Sequence, residues 1–160
     1  MGSTTRDDVW LCLHLYEQRR EPVLRAAREW LIEFAPRSFK DLLKVVEGGA
    51  GSEANRYFRQ ATSYWEMISA LMMSSGVGAE CRDLFVRTTR EFFLCYAKLA
   101  PYLEELRAHT RPTLLQNLEG FCRSLPDHDA MMAYFTKQAE RIRARAGRTK
   151  KKTRKRRQGR

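Results

Sequence analysis

Residues 54–72 read ANRYFRQATSYWEMISALM, and their apolar positions decide the fold. Ala54, Phe58, Ala61, Trp65, Ile68 and Met72 recur with alternating steps of four and three. That spacing lays one apolar seam along a helix, and its period near 3.5 residues is the pattern of knobs-into-holes packing. Further on, Cys81, Phe85, Thr88, Phe92, Cys95, Leu99, Tyr102 and Leu106 repeat the same steps. The segment from Ser74 to Gly78 is short, so the two seams read as an antiparallel hairpin crossing at roughly 20°. Tyr57, Tyr64, Leu71, Leu84, Phe93 and Leu103 flank the seams and widen both stripes for other helices. Pro101 falls inside the second arm and removes the amide that would bond the Ala97 carbonyl, which predicts a kink or a break.

Outward from the hairpin the helical period persists, with no two-residue alternation of the strand type. Asp7 and Asp8 open a helix from about Arg6 to Arg20 whose apolar face is Val9, Trp10, Leu13 and Tyr16. Pro22 suits the first turn of a second helix carrying Leu24, Ala27, Leu31 and Phe34, ended by Ala35-Pro36. Ser38 with Asp41 starts a short third, which carries Leu42, Leu43 and Val46 and stops at Gly48-Gly49. Arg111-Pro112 opens a helix with Leu114, Leu118, Phe121 and Leu125 inside and Pro126 at its close. Asp127 is placed to cap a last helix with Met131, Phe135, Ala139, Ile142 and Ala146 as its stripe. The expected fold is all-α, an antiparallel bundle of about six to seven helices with a long central hairpin.

Charge is distributed unevenly. The chain has 30 Lys or Arg against 19 Asp or Glu, yet residues 1–140 hold 18 and 19 of them. The last twenty residues hold 12 basic side chains and no acidic one, so a near-neutral body carries a cationic end. Beyond Gly147 nothing apolar remains to offset a backbone ordering cost of about 1–2 kcal/mol per residue. Residues 1–147 are therefore expected to form one domain and residues 148–160 a disordered basic tail. Arg141, Arg145 and Arg148 fall three or four apart on one helical face, so the basic character begins before the tail does. With Lys150, Lys151, Lys152, Arg154, Lys155, Arg156 and Arg157 they are the candidate contact for nucleic acid or another polyanion. Anionic lipid ranks second, because the tail has no apolar residue to insert.

Other chemistry has less support. Cys12, Cys81, Cys95 and Cys122 are widely spaced without a C-x-x-C pair and read as reduced thiols of a cytoplasmic protein. No run of apolar residues reaches membrane-spanning length, and Met1 to Asp8 lacks a signal-peptide core. His14, His109 and His128 stand apart, and the acids beside His128 suit a helix start, so no metal site and no cofactor is expected. Gly48 to Ser52 has neither the Lys nor the preceding strand of a phosphate loop. Trp65, Phe92 and Tyr102 could be pictured stacking on bases, but their heptad spacing assigns them to the core.

Arg25-Ala26-Ala27-Arg28, Tyr64-Trp65-Glu66 followed by an apolar stretch and Gly76, Phe85, and Leu99-Ala100-Pro101 leading to Arg107 form a further pattern. Over about residues 22–125 it resembles a family of uncharacterised bacterial helical domains, the domain of unknown function numbered 4760. The resemblance implies a small helical bundle, in a family often attached to a membrane segment, and implies no activity or cofactor. This chain lacks the membrane helix and adds the basic tail. Within the pattern, Glu66 lies beside the Trp65 seam, where burial would raise its pKa unless an arginine paired with it. Arg28 and Arg107 are the candidate partners in a buried ion pair, and no residue is assigned to catalysis. The leading function is a non-enzymatic interaction domain whose basic arm contacts nucleic acid without regard to sequence. A protein-binding or membrane-peripheral scaffold, an enzyme with a pocket near Glu66, and a homodimer formed through the heptad seams stay open beside it.

Overall fold

The computed structural model describes the backbone of residues 5–49 and 51–158 and the side chains of residues 5–49 and 51–145. Among the described residues the elements are helices: α1 Arg6–Gln18, α2 Pro22–Glu33, α3 Phe39–Val46, α4 Glu53–Met73 and α5 Ala79–Thr88. Then come α6 Glu91–Leu99, a 3₁₀ turn at Ala100–Tyr102, α7 Leu103–His109, α8 Gln116–Ser124 and α9 His128–Gln158. The protein is an all-α bundle, as its periodicity requires.

On α4 the seam is buried as spaced: Phe58, Ala61, Trp65, Ile68 and Met72 all face inward. Its main neighbours are the shorter helices α2 and α8. The seam is satisfied within a single chain. The second arm of the expected hairpin is not one helix but three. Thr88 turns its hydroxyl back to the Leu84 carbonyl at 2.8 Å, and Thr89 is extended at φ −141°, ψ 123°. Paired β-branched hydroxyl residues compete with the helical ladder in this way, and α5 ends there. Thr89 rather than Thr88 is buried at the break, and the seam resumes in place at Phe92, Cys95 and Leu99. At Pro101 the helix tightens to a 3₁₀ turn before α7 begins.

The break frees α6 to take the centre. Phe92, Phe93, Leu94, Cys95, Tyr96, Ala97, Lys98 and Leu99 are all buried, so this helix has no outer face. A helix apolar all round belongs inside. It packs mainly on α9 and also meets α8, α2 and α4. Phe92 stacks with Phe85 and lies near Phe121, while Phe93 stacks with Phe135 of α9.

Helix ends are completed by side chains from other helices. The Lys98 ammonium, on the inner helix, donates to the Leu31 carbonyl at 2.7 Å and to that of Ile32, closing the C-terminus of α2. Asn55 Nδ2 donates to the carbonyls of Val45 (3.0 Å) and Val46 (2.8 Å) at the end of α3. The Asp8 carboxylate accepts from the Gly78 amide at 3.3 Å, at the start of α5. Asp8 is also the third residue of its own helix, where it forms a capping box with Thr5.

α1 departs from the expected orientation. Val9, Trp10, Leu13 and Tyr16 are exposed, Trp10 at 63%. The inner side is Asp8, Leu11, Cys12 and Leu15 instead. Both sets are spaced as a helical face, and the tie at Asp8 selects the second. The largest side chains are left outside.

Candidate functional site

Glu66 sits half-buried on α4 and points at the start of α8. Its Oε1 accepts from the Asn117 amide at 3.1 Å and from Asn117 Nδ2 at 2.9 Å; its Oε2 accepts from the Leu118 amide at 2.9 Å. The N-cap residue of α8 is Leu115, which has no capping oxygen and is held at φ 54°, ψ 31°. Glu66 supplies the missing acceptor from across the bundle, and its charge complements the positive end of the α8 dipole. Its partners here are Asn117 and Leu118, neither Arg28 nor Arg107.

Arg107 acts on the same connection by a different route. Its Nε donates to the Leu114 carbonyl at 2.9 Å, and its Nη2 lies 2.7 Å from Glu119 Oε2. Glu119 also holds Arg123 at 2.8 Å. Glu66 and Arg107 thus grip opposite sides of the turn that forces Leu115 into the left-handed region, without touching one another. An L side chain there costs roughly 1–2 kcal/mol, which the surrounding bonds must offset.

Arg28 lies in a third cluster. Its Nε donates to Glu91 Oε2 at 2.7 Å and its Nη2 bonds Glu91 Oε1, while Nη1 donates to the Arg19 carbonyl at 3.0 Å. Arg19 adds a contact to Glu91 Oε1 at 3.0 Å and to Thr89 Oγ1 at 2.6 Å. All three side chains are largely buried, and they join the end of α1, the middle of α2 and the α5–α6 break. The Arg19 guanidinium also lies 6.0 Å from the centroid of the Trp65 ring. Tyr64 donates to the Leu15 carbonyl nearby at 2.9 Å, and burial pushes its hydroxyl pKa up to about 12. The expected ion pair of Glu66 with Arg28 or Arg107 is therefore replaced by three separate arrangements. Each arginine pairs with a different carboxylate: Arg28 of α2 with Glu91 of α6, and Arg107 of α7 with Glu119 of α8.

Lys98 and Glu91 were not singled out in the sequence, although one signal was there. Lys98 is the single charge in the run from Phe92 to Leu99, and it is fully buried. Burial lowers its pKa from the ordinary lysine value to about 8. Each histidine has a local bond: His128 Nδ1 lies 2.9 Å from the Cys122 carbonyl, His109 3.0 Å from Glu47, and His14 3.1 Å from Gln18. The Asp127 carboxylate bonds Arg90 at 3.1 Å. Among the described residues no three ligating side chains gather as a metal site, and no helix is long and apolar enough to cross a membrane. A groove of about 660 Å³ between α5 and the α8–α9 turn is lined by Arg82, Arg87 and Arg90 with Asp83 and Asp127. Its arginines are engaged by Met72, Asp83 and Asp127.

The cationic end belongs to α9. Phe135 and Ala139 are buried on the body, Arg37 donates to the Arg143 carbonyl at 3.0 Å, and Arg141 and Arg145 are exposed. The helix continues past Gly147 to Gln158. Lys and Arg are good helix formers, and cations near a helix C-terminus complement its dipole. The side chains of Arg148, Lys150, Lys151, Lys152, Arg154, Lys155, Arg156 and Arg157 lie outside the described residues.

No curated protein and no solved structure matches the chain. A family model does match, over residues 5–125, from the cap of α1 to the end of α8 and short of α9. The match starts upstream of the segment from Pro22 that carried the resemblance, bringing α1 and Arg19 within it. With three quarters of its length so covered, the chain belongs to the family described as a domain of unknown function (DUF4760).

Proposed function

We propose that this protein is a non-enzymatic helical interaction domain whose C-terminal arm contacts nucleic acid without regard to base sequence. The observation that carries the reading is the course of α9, which continues to Gln158 with no acidic residue after Glu140. At 1.5 Å per residue the stretch from Arg141 to Gln158 makes a basic rod of roughly 25 Å. Its cations follow one another too closely to keep to one stripe, which suits phosphates arrayed on a backbone better than base edges in a groove. The arm lies beyond the family match, which ends at residue 125. On this reading the functional boundary falls near Gly147, and the protein acts in the cytoplasm. Glu66, the carboxylate that would anchor an enzymatic reading, has both oxygens committed to α8.

Fluorescence polarisation with labelled duplex DNA and single-stranded RNA tests this, using the full chain and a truncation after Ala146. The full chain is expected to bind both at low salt, and the truncation to lose at least tenfold in affinity for each. Equal affinity in the two proteins overturns the proposal. The exposed Val9, Trp10, Leu13 and Tyr16 of α1 favour a second reading, a scaffold that docks a protein or membrane surface. Liposome flotation that persists in about 0.5 M salt, where the Debye length is roughly 4 Å, would favour it over the arm.

A further inference from the structure

Two of the cysteines are brought together by the fold, although 69 positions separate them in sequence. Cys12 Sγ on α1 lies 3.0 Å from Cys81 Sγ on α5, about 1 Å more than the ~2.05 Å of a bonded pair. The contact is registered by its surroundings. One turn before each cysteine, Asp8 accepts from the Gly78 amide, and a Cβ on Gly78 would sit 3.1 Å from Asp8 Oδ2. Glycine at 78 leaves room for that carboxylate, and the approach of the two helices there carries the sulfurs into contact. The Cys81 thiol also points to the Asp8 carbonyl at 3.5 Å. Cys12 is partly exposed and borders a small cavity of about 30 Å³ with Tyr16, Arg19 and Thr88; Cys81 is buried behind it. Cys95 and Cys122, both buried, offer no such outer sulfur.

We propose that Cys12 and Cys81 form a reversible modification site, an intramolecular disulfide made by exchange with a small-molecule disulfide such as oxidised glutathione. The Cys12 thiolate attacks one sulfur of the oxidant; that S–S bond breaks, one glutathione thiolate leaves and takes a proton from water, and a mixed disulfide stands on Cys12. Cys81 then attacks Cys12 Sγ, the mixed S–S bond breaks, and the second glutathione leaves carrying the Cys81 proton. Two protein thiols are oxidised and one glutathione disulfide is reduced to two thiols. The order follows from access, and burial beside Cys12 supports it by pushing the Cys81 pKa up to about 12. A thiol so hard to ionise is a poor first nucleophile, and its attack in the second step rests on the sulfur held against it. The product staples α1, with its exposed Trp10 face, to α5.

The test is to incubate the folded full-length protein with millimolar oxidised glutathione at pH 8, then denature, alkylate and weigh it. The expected product has two alkylatable thiols in place of four, no glutathione adduct, a Cys12–Cys81 peptide after digestion, and full reversal by dithiothreitol. Its melting temperature is expected to rise by about 10 °C, since the bond closes a long loop. Cys81→Ala should stop at a stable glutathione adduct on Cys12, and Cys12→Ser should leave Cys81 unmodified. Four free thiols after treatment, a persistent adduct on the unsubstituted chain, or a linkage between any other pair would each overturn the proposal. The measurement on the unsubstituted chain decides the matter even if a variant folds poorly.

Discussion

At position 115 the start of α8 has a leucine where helices ordinarily carry a hydroxyl or a short carboxylate, and Glu66 fills the gap from another helix. Replacing Glu66 with Ala leaves two backbone amides and the Asn117 side chain without their acceptor, so unfolding in urea should show a loss of about 1–2 kcal/mol. Glu66→Gln, which keeps one acceptor and no charge, should lose about half as much. Lys98 gives a prediction in pH. Its pKa is about 8 in the fold against an ordinary lysine value in the unfolded chain, so between pH 8 and 10.5 the unfolded state binds more protons. Stability attributable to Lys98 therefore rises across that window and is lost as pH falls back through 8. The buried thiols and Tyr64, raised to about 12 in the case of Cys95 and Tyr64, push the other way above about pH 9 and mask the rise in the whole protein. The difference between the native protein and Lys98→Met cancels them. It should grow by on the order of 2–3 kcal/mol in favour of the lysine protein from pH 8 to 10.5.

The apolar period placed most helices, since a stripe of large side chains recurring at three and four has few other homes. That logic held for Leu24, Ala27 and Leu31, for Leu118 and Phe121, and along α4. On α1 it chose the wrong side, because two faces carry apolar residues and bulk alone does not rank them; the Asp8–Gly78 tie does, and it joins residues far apart in sequence. Likewise the α5–α6 break depends on Thr88 and Thr89, whose hydroxyls read as neutral in a seam that otherwise continues. Partners of Glu66, Arg28 and Arg107 were not legible at all, because a guanidinium pairs with whichever carboxylate the packing delivers. Element by element, the consequence is measurable on α1. Trp10→Ala should change unfolding free energy by less than about 0.5 kcal/mol, whereas Leu15→Ala should cost about 2–4 kcal/mol. A large loss at Trp10 in denaturant titrations would mean that this face is covered in solution.

Over the whole molecule, a net charge of +11 is the sum of a body near neutrality and an arm that holds the excess. Such a molecule should show a salt dependence set by the arm alone. If about six of its cations engage duplex phosphates, a plot of log K against log salt should slope near −5, and affinity should fall on the order of a thousandfold between 50 and 200 mM. Thermal stability of the body over the same range should hardly move, because the carboxylates at the centre of its ion clusters, Glu91 and Glu119, are largely buried. The completion of helix ends by distant side chains bears on how this molecule comes apart. The end of α2 depends on Lys98, that of α3 on Asn55, and the start of α8 on Glu66, so none of these helices is whole until its neighbour has docked. Excised as peptides they should be largely unstructured, and in the intact protein helicity and tertiary packing should vanish in one concerted transition, with no intermediate that keeps its helices while losing its core.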